Sequence, residues 1–369
     1  MFDYKSIVNR RFKTPRLEIY PARIKANAQA IIAQCHEKKV QVACVTKVVC
    51  AHPAVARAMV EGGADLLADS RIENLWKLRE AGFKGPFMLL RLPAVSRAAE
   101  VVEVAEYSLN SSAETIKALA CAAEHRNLVH KIILMIDVGD LREGVWPDKA
   151  IEVLNSVKDL RGIEIAGMGC NLACYGGVIP SPQNMGLFVE TVKKCRRATG
   201  LALPILCGGN SSGLPILSEN KLPEEVNLYR IGEAIILGRN VIDRSPWKGT
   251  RQDTMIAVGE VIEAEIKPSM PIGERGQDAF GQTQEFKDLG LRKRVICNLG
   301  RQDVVVDGIQ PVESGIVVLG GSSDHLLLDV EDCQRDLKVG DEVRFYPGYG
   351  ALLALSTSEY VQKVVIEEE

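Results

Sequence analysis

Five histidines in 369 residues, and ten cysteines with no repeated pair spacing, leave little from which to build a metal site. Cys170 and Cys174 lie close together but lack the second ligand pair that a zinc site requires, so no metal is expected. The others are Cys35, Cys44, Cys50, Cys121, Cys195, Cys207, Cys297 and Cys333. Several of them lie in apolar stretches, where a thiol packs as a small hydrophobe. A reducing cytoplasm suits such a chain better than a disulfide framework. No apolar run is long enough to span a bilayer. The opening residues, MFDYKSIVNRRFK, carry charge where an export signal needs its apolar segment, so a cytoplasmic protein without a membrane partner is expected. Positive charge is short as well: 45 Lys and Arg against 48 Asp and Glu give a net charge of -3. Arg292-Lys293-Arg294 is the one run of three consecutive basic residues, and the other basic residues are interspersed with acids, which argues against nucleic acid as a partner.

What the chain does have is apolar material in a regular rhythm. Hydrophobic residues make up 46% and charged residues 25%, the balance of a soluble globular protein, and the length suggests two domains. A short strand at 17–20 and a helix at 22–38 come first. Strand-like segments then follow at 41–46, 65–69, 86–91, 106–109, 130–137, 162–169, 204–208 and 228–231. Helical stretches separate them at 53–62, 70–82, 94–104, 111–127, 147–158 and 182–199, with a looser segment at 211–225 and a last helix from Glu233. Eight strands alternating with helices is the count of a closed parallel barrel, so an α/β fold with a (β/α)8 TIM barrel over residues 1–250 is expected. An open doubly wound sheet fits less well, because no Gly-rich dinucleotide turn follows the first strand. In residues 251–369, alternating apolar residues at 254–266, 293–299, 303–306, 315–319, 325–330 and 341–346, ending in 350–366, predict a C-terminal all-β domain. Its segment 267–291 is too long for a simple connection, and such loops are usually functional or mobile.

Barrel enzymes keep their chemistry at the C-terminal ends of the strands. This chain puts Lys47 after the first of them, Asp69-Ser70-Arg71 with Glu73 after the second, Arg91 at the third and Asn110 after the fourth. After the fifth come Asp137 and Gly139-Asp140-Leu141-Arg142-Glu143-Gly144; after the sixth, Asn171. The seventh ends in Gly208-Gly209-Asn210-Ser211-Ser212-Gly213 and the eighth in Arg230-Ile231-Gly232-Glu233. Each alone has an ordinary use: helix caps for Asp69 and Ser70, a plain turn for the glycines, a solvated charge for Arg142, a snorkelling stem for Lys47. Together they say more. Loops after strands seven and eight often hold a phosphate, and here Gly209-Asn210-Ser211 offers a hydroxyl with backbone donors while Gly232-Glu233 opens a helix. An amine at Lys47 plus that cradle makes pyridoxal 5'-phosphate the economical ligand. A sugar-phosphate enzyme working through a lysine imine needs the same two parts, and physics does not separate the two.

Val45-Thr46-Lys47, Asp137 with Arg142-Glu143-Gly144, Asn210-Ser211 and Arg230-Ile231-Gly232 resemble the alanine racemase family of fold-type III pyridoxal-phosphate enzymes. The wording VTKVVC, ADSRIENL, MLLRLP, DVGDLREGV, GQDAFG, LGRQDV and GGSSDH is similar to its ornithine racemase branch, from about Pro15 to the end of the chain. The resemblance implies a racemase that interconverts L- and D-amino acids, ornithine or a related basic amino acid, by two-base proton exchange at Cα. It implies that Lys47 carries pyridoxal 5'-phosphate as an imine and acts as one base. Ser211 and the backbone of Gly232 and Glu233 would hold the phosphate, Arg230 would face the pyridine nitrogen, and Arg142, Asn171 and Asn210 would lie near the cofactor. It further implies a head-to-tail homodimer in which the β domain closes the partner's barrel mouth. Asp278, Asp303, Asp324 and His325 are then candidates for the opposite-face base or for holding the substrate ammonium, and Ser323 for meeting the substrate carboxylate.

Departures from the alanine racemase pattern mark where this chain differs. Ala51 stands at an expected tyrosine, with His52 beside it as a substitute contact; Asn171 replaces a histidine and Met135 a lysine. The catalytic tyrosine of the second domain falls near Ile272, which leaves the second base unassigned. A guanidinium at the ring nitrogen only donates and keeps its proton, so the ring is a weaker electron sink than one paired with a carboxylate. That suits proton removal and return more than decarboxylation. Glu233, a carboxylate nearby, would shift the reading toward a decarboxylase of the same fold if it reached the ring. A non-catalytic pyridoxal-phosphate carrier is the other alternative, and the substantial β domain argues against it.

Overall fold

Two compact units make up the described chain: Pro21–Gln252, and residues 11–20 together with the described residues from Asp253 onward. The computed structural model of the protein describes residues 11–281, 283 and 285–368. Strand β1 (Arg16–Ile19) precedes α1 (Pro21–Glu37), β2 (Gln41–Val45), α2 (Pro53–Glu61), β3 (Leu66–Asp69), α3 (Ile72–Glu80), β4 (Phe87–Leu89) and α4 (Ala98–Val104). Then come β5 (Tyr107–Asn110), α5 (Ala113–His125), β6 (His130–Met135), α6 (Ala150–Val157), β7 (Ile163–Gly169), α7 (Pro182–Thr199), β8 (Ile205–Asn210), α8 (Leu214–Ser218), β9 (Leu228–Ile231) and α9 (Glu233–Leu237).

The eight strands β2 to β9 close a parallel barrel in sequence order. Parallel strands are covered on both faces and read as near-continuous apolar runs, which is how the barrel segments announce themselves. Every second residue points inward. Ala43 and Val45 of β2 and Ile133 and Met135 of β6 therefore meet Ala68, Met88, Leu109, Cys207 and Leu228 in one buried cluster. The surrounding helices carry their own boundary signals. In α7, Ser181 accepts from the Asn184 N–H while Asn184 returns the bond, Pro182 opens the helix and Gly200 ends it in the left-handed region.

Strand β1 does not join the barrel. It pairs antiparallel with the strand at Met255–Pro268 and parallel with that at Gln362–Val365, so residues 16–19 belong to the second unit's sheet. That unit contains β10 (Met255–Pro268), β11 (Leu291–Cys297), β12 (Ile309–Pro311), β13 (Val317–Gly321), β14 (Leu326–Asp329), β15 (Glu342–Pro347), α10 (Tyr349–Thr357) and β16 (Gln362–Val365). The sheet runs β12-β15-β10-β11-β14-β13, with β1 on β10 and β16 on β1.

Two expectations fail in this unit. Residues 350–366 are not continuous β structure: Tyr349–Thr357 is a helix that buries Ala351, Leu352 and Leu355, because the run YGALLALST is rich in strong helix formers and follows Gly348. Nor is 303–306 a strand. The Asp303 side chain accepts from Ser358 Oγ at 2.8 Å, its backbone N–H bonds the Gly300 carbonyl at 2.9 Å, and these bonds fold the segment into a turn. Asp303 is thus occupied in shaping that turn.

One buried group in the barrel links fold to pH. His130 Nδ1 lies 3.1 Å from the Ala105 carbonyl, to which it can only donate, so Nε2 accepts from the Ser108 hydroxyl at 2.7 Å and the ring is neutral. Burial pulls its pKa from the usual 6.5 to about 4. The unfolded chain therefore binds a proton that the folded chain refuses, and stability is lost as pH falls from 6.5 toward 4. Urea unfolding across that window is expected to show His130→Asn losing about 3 kcal/mol less than wild type; parallel pH profiles for the two proteins would refute this.

Candidate active site

The site starts where β2 ends. Thr46 is fully buried and donates its hydroxyl to Asp69 at 2.7 Å, while Asp69 also accepts from Arg71 N–H at 3.0 Å and Asn74 Nδ2 at 2.9 Å. Burial raises the Asp69 pKa, against the pull of the Asn74 and Thr46 hydrogen bonds. This clasp ties the loops after β2 and β3 and leaves Lys47 as the first residue of the 3-10 turn Lys47–Val49. Across the seam, Cys44 of β2 pairs with Ile231 of β9, so Gly232 comes beside the lysine-bearing strand end. A Cβ on Gly232 would lie 3.0 Å from both Cβ and O of Val45, tighter than neighbouring backbone readily accommodates. Glycine is what lets α9 start this close to β2.

Lys47 itself is partly buried, and burial is the first cause of a pKa below the ordinary lysine value. The positive charges of Arg142 and Arg230 push in the same direction, while Cys174 and Asp69 oppose. An amine held this way is more often neutral, hence nucleophilic and basic.

On the other side of the seam from the lysine, the loops after β7, β8 and β9 are woven together. Arg230 is buried and donates Nη1 to Cys207 Sγ, and Nη2 to the Cys170 carbonyl at 2.9 Å and Asn171 Oδ1 at 3.2 Å. Asn210 donates to Asn171 Oδ1 at 3.1 Å and the Leu172 carbonyl at 2.8 Å, and its own Oδ1 accepts from Ser212 N–H at 2.8 Å. Ser211 is buried, and its hydroxyl accepts from Ala234 N–H at 3.3 Å, which fastens the β8 loop to the first turn of α9. Two buried polar atoms here have no hydrogen-bond partner among the described residues: Ser212 Oγ and Asn171 Nδ2. Buried polar groups are normally satisfied, so such a pair marks a place for a further polar group. With the first-turn N–H groups of α9 beside them, the set is rich in donors and suits an anion.

The loop after β6 closes another side. Asp137 Oδ1 accepts from Gly139 N–H at 2.8 Å and Leu141 N–H at 3.2 Å, curling the loop so that Arg142 bonds Glu143 and Cys174 Sγ. Glu233, the carboxylate that could have faced a ring nitrogen, is turned elsewhere: it accepts from Arg239 at 3.0 Å and Arg244 at 2.6 Å.

Lys47, Arg142, Asn171, Asn210, Ser211, Arg230, Gly232 and Glu233 thus all lie on one rim of the barrel, at or just beyond the C-terminal ends of its strands. The remaining candidates belong to the second unit. Asp278 lines a cavity of about 440 Å3 in that unit with Phe280, Phe286, Arg294 and Ser322, and its Oδ1 accepts from Phe280 N–H at 2.9 Å. Ser323, Asp324 and His325 make the turn between β13 and β14, where the Ser323 carbonyl accepts from Gln302 N–H at 3.0 Å. Ile272 is 90% exposed and carries no polar group. The Thr46–Asp69 clasp and the Cys174 contact escaped the sequence reading, because both depend on residues 23 and 32 positions apart.

A family model described as alanine racemase, N-terminal domain, matches residues 19–240. The chain is 41% identical over 350 residues to lysine racemase of Thermotoga maritima, spanning 95% of this chain and 98% of that protein. It is 39% identical over 353 residues to ornithine racemase of Acetoanaerobium sticklandii, spanning 95% and 99%. Alanine racemase from Streptomyces lavendulae, a solved structure, matches with a TM-score of 0.76 over 97% of this chain and 99% of that one; at 19% identity this is a likeness of fold.

The depressed pKa of Lys47 is open to direct measurement. Competitive labelling of the cofactor-free protein with acetic anhydride, mapped by mass spectrometry, is expected to give Lys47 a titration midpoint below the ordinary lysine value of about 10.4. The midpoint should rise in Arg142→Ala. A midpoint at or above that value in wild type would remove the electrostatic account.

Proposed function

The chain belongs to the alanine racemase family and is an amino-acid racemase; we propose that it works with pyridoxal 5'-phosphate on ornithine, lysine or another basic amino acid, as a cytoplasmic head-to-tail homodimer. The observation that carries this reading is the common rim shared by an amine of lowered pKa and a donor-rich anion cradle. The residues present fit the cofactor. Ser211, Ser212 and the first amides of α9 would hold its phosphate, Asn171 and Asn210 would border the ring, and Lys47 would bond it covalently. When bound, pyridoxal 5'-phosphate accepts the substrate amine and draws electrons from Cα, which acidifies the Cα–H.

The chain's own residues then have distinct tasks. Lys47, its pKa lowered by burial and its arginine neighbours, takes the Cα proton on one face or delivers one there. Arg230 would face the pyridine nitrogen. Its guanidinium donates hydrogen bonds but does not surrender a proton, so charge at Cα is short-lived and reprotonation is favoured. The Glu233 carboxylate, engaged by Arg239 and Arg244, supports the same choice over decarboxylation. The opposite-face base belongs to the second domain's candidates, Asp278 and Asp324 with His325, which would act on the partner's barrel. The basic side chain proposed for the substrate is supported by the two relatives that match nearly the full length of this chain, a lysine racemase and an ornithine racemase.

Incubation of the yellow holoenzyme with L-ornithine, L-lysine and L-alanine in deuterated water is expected to give Cα exchange and D-isomer with the basic substrates foremost. Lys47→Ala should lose both this activity and the visible-edge absorbance. Retention of both by that variant would end the assignment of Lys47, and release of labelled carbon dioxide in place of exchange would replace racemase by decarboxylase.

A further inference from the structure

One buried carboxylate joins the loops that follow β6 and β7. Asp140 is 1% exposed and accepts three backbone N–H groups, from Tyr175 at 2.9 Å, Val178 at 3.2 Å and Cys174 at 3.3 Å. Its carbonyl accepts a fourth, from Gly176 at 3.1 Å. A Cβ on Gly176 would fall 2.7 Å from that carbonyl oxygen, so the two loops meet without room for a side chain. Charge-assisted bonds of this kind are among the stronger ones, and here they fix residues 174–178 against the turn that carries Arg142.

The consequence is a contact between side chains 32 positions apart: Arg142 Nη1 donates to Cys174 Sγ. Arg142 has a long side chain, 36% exposed, with many rotamers to lose. Its other hydrogen-bond partner, Glu143, is its chain neighbour and moves with it. Among the described residues, Cys174 is therefore the contact that ties the guanidinium to a different loop. Arg142 and Lys47 follow strands that end on the same rim of the barrel, and Cys174 meets Arg142 there.

We infer that Cys174 is a positioning residue for Arg142, its sulfur holding the guanidinium in one direction at the barrel mouth beside Lys47. Sulfur is a weak acceptor, and the contact acts through direction more than through strength. The fold does not depend on it, since Asp140 anchors the loop by its backbone. Arg230 rests on Cys207 Sγ in the same manner, inside the barrel. The kinetic effect of this arrangement rests on the racemase reading; the contact itself does not.

The test is a double-mutant cycle in the pyridoxal-phosphate-loaded enzyme, joined to a labelling measurement that needs no turnover. Cys174→Ala is expected to lower kcat/KM for L-ornithine about tenfold, and Cys174→Ser, which keeps an acceptor, to stay within about threefold of wild type. In an Arg142→Ala background, Cys174→Ala should change kcat/KM less than about twofold, because the residue it acts through is gone. Iodoacetamide labelling of Cys174, read by mass spectrometry against the exposed Cys121 as internal control, should change about threefold or more in Arg142→Ala. Additive losses in the cycle, or a Cys174→Ser enzyme as poor as Cys174→Ala, would overturn the positioning role. Unchanged labelling would overturn the contact. Were the wild-type holoenzyme to racemise no amino acid, the racemase reading would fall, and unchanged or altered labelling would still decide the contact.

Discussion

The close approach of β9 to β2 is the constraint on which the rest of the molecule turns. A parallel barrel closes only if its last strand pairs with its first, and here the closing pair brings Gly232 within contact of Val45. Because parallel strands all end on the same rim, closure sets the residue after β2 beside the helix that begins after β9. Lys47 and the amides of α9 are 185 or more residues apart in the chain and neighbours in space for this reason alone. A side chain at position 232 would require Val45 to give way by a few tenths of an ångström at this seam.

Around that seam the acids and bases have separated roles. Asp69, Asp137 and Asp140 are spent on hydroxyl, amide and backbone donors that shape loops, and Glu233 is engaged by two arginines. Lys47, Arg142 and Arg230 are left to define the field of the mouth, together with hydroxyl and amide donors that lack acceptors. A site of this sign suits an anionic ligand and keeps a lysine amine neutral more of the time. On the proposed reading the barrel would supply one base and the anchor for the cofactor.

That second domain is where local pattern was the poorer guide. Residues 303–306, Asp-Val-Val-Val, have the composition of a strand, yet Ser358 and Gly300 hold Asp303 in a turn. The stretch 350–357 reads as apolar without a period because Leu353 on its exposed face is as apolar as the buried Ala351, Leu352 and Leu355, and apolar runs of that kind do not distinguish strand from helix. Strand β1 comes before the barrel strands in the chain; its partners are β10 and β16, far along the sequence. Barrel strands, by contrast, each pair with the neighbour in sequence, apart from the closing pair, and so were legible one after another.

What the sequence by itself determined is the material and its rhythm: eight apolar strands with helices between them, and a polar residue of defined chemistry at each strand end, because period and strand direction are local properties. Lys47, Asn210, Ser211 and Gly232 could be named on that basis, whereas Arg142, Asn171 and Arg230 were singled out by the family resemblance. Tertiary structure alone decided how those side chains face: that Glu233 turns to Arg239 and Arg244, that Thr46 clasps Asp69, and that Cys174 meets Arg142. Such contacts are selected by loop closure and burial across long chain separations, and no spacing rule encodes them.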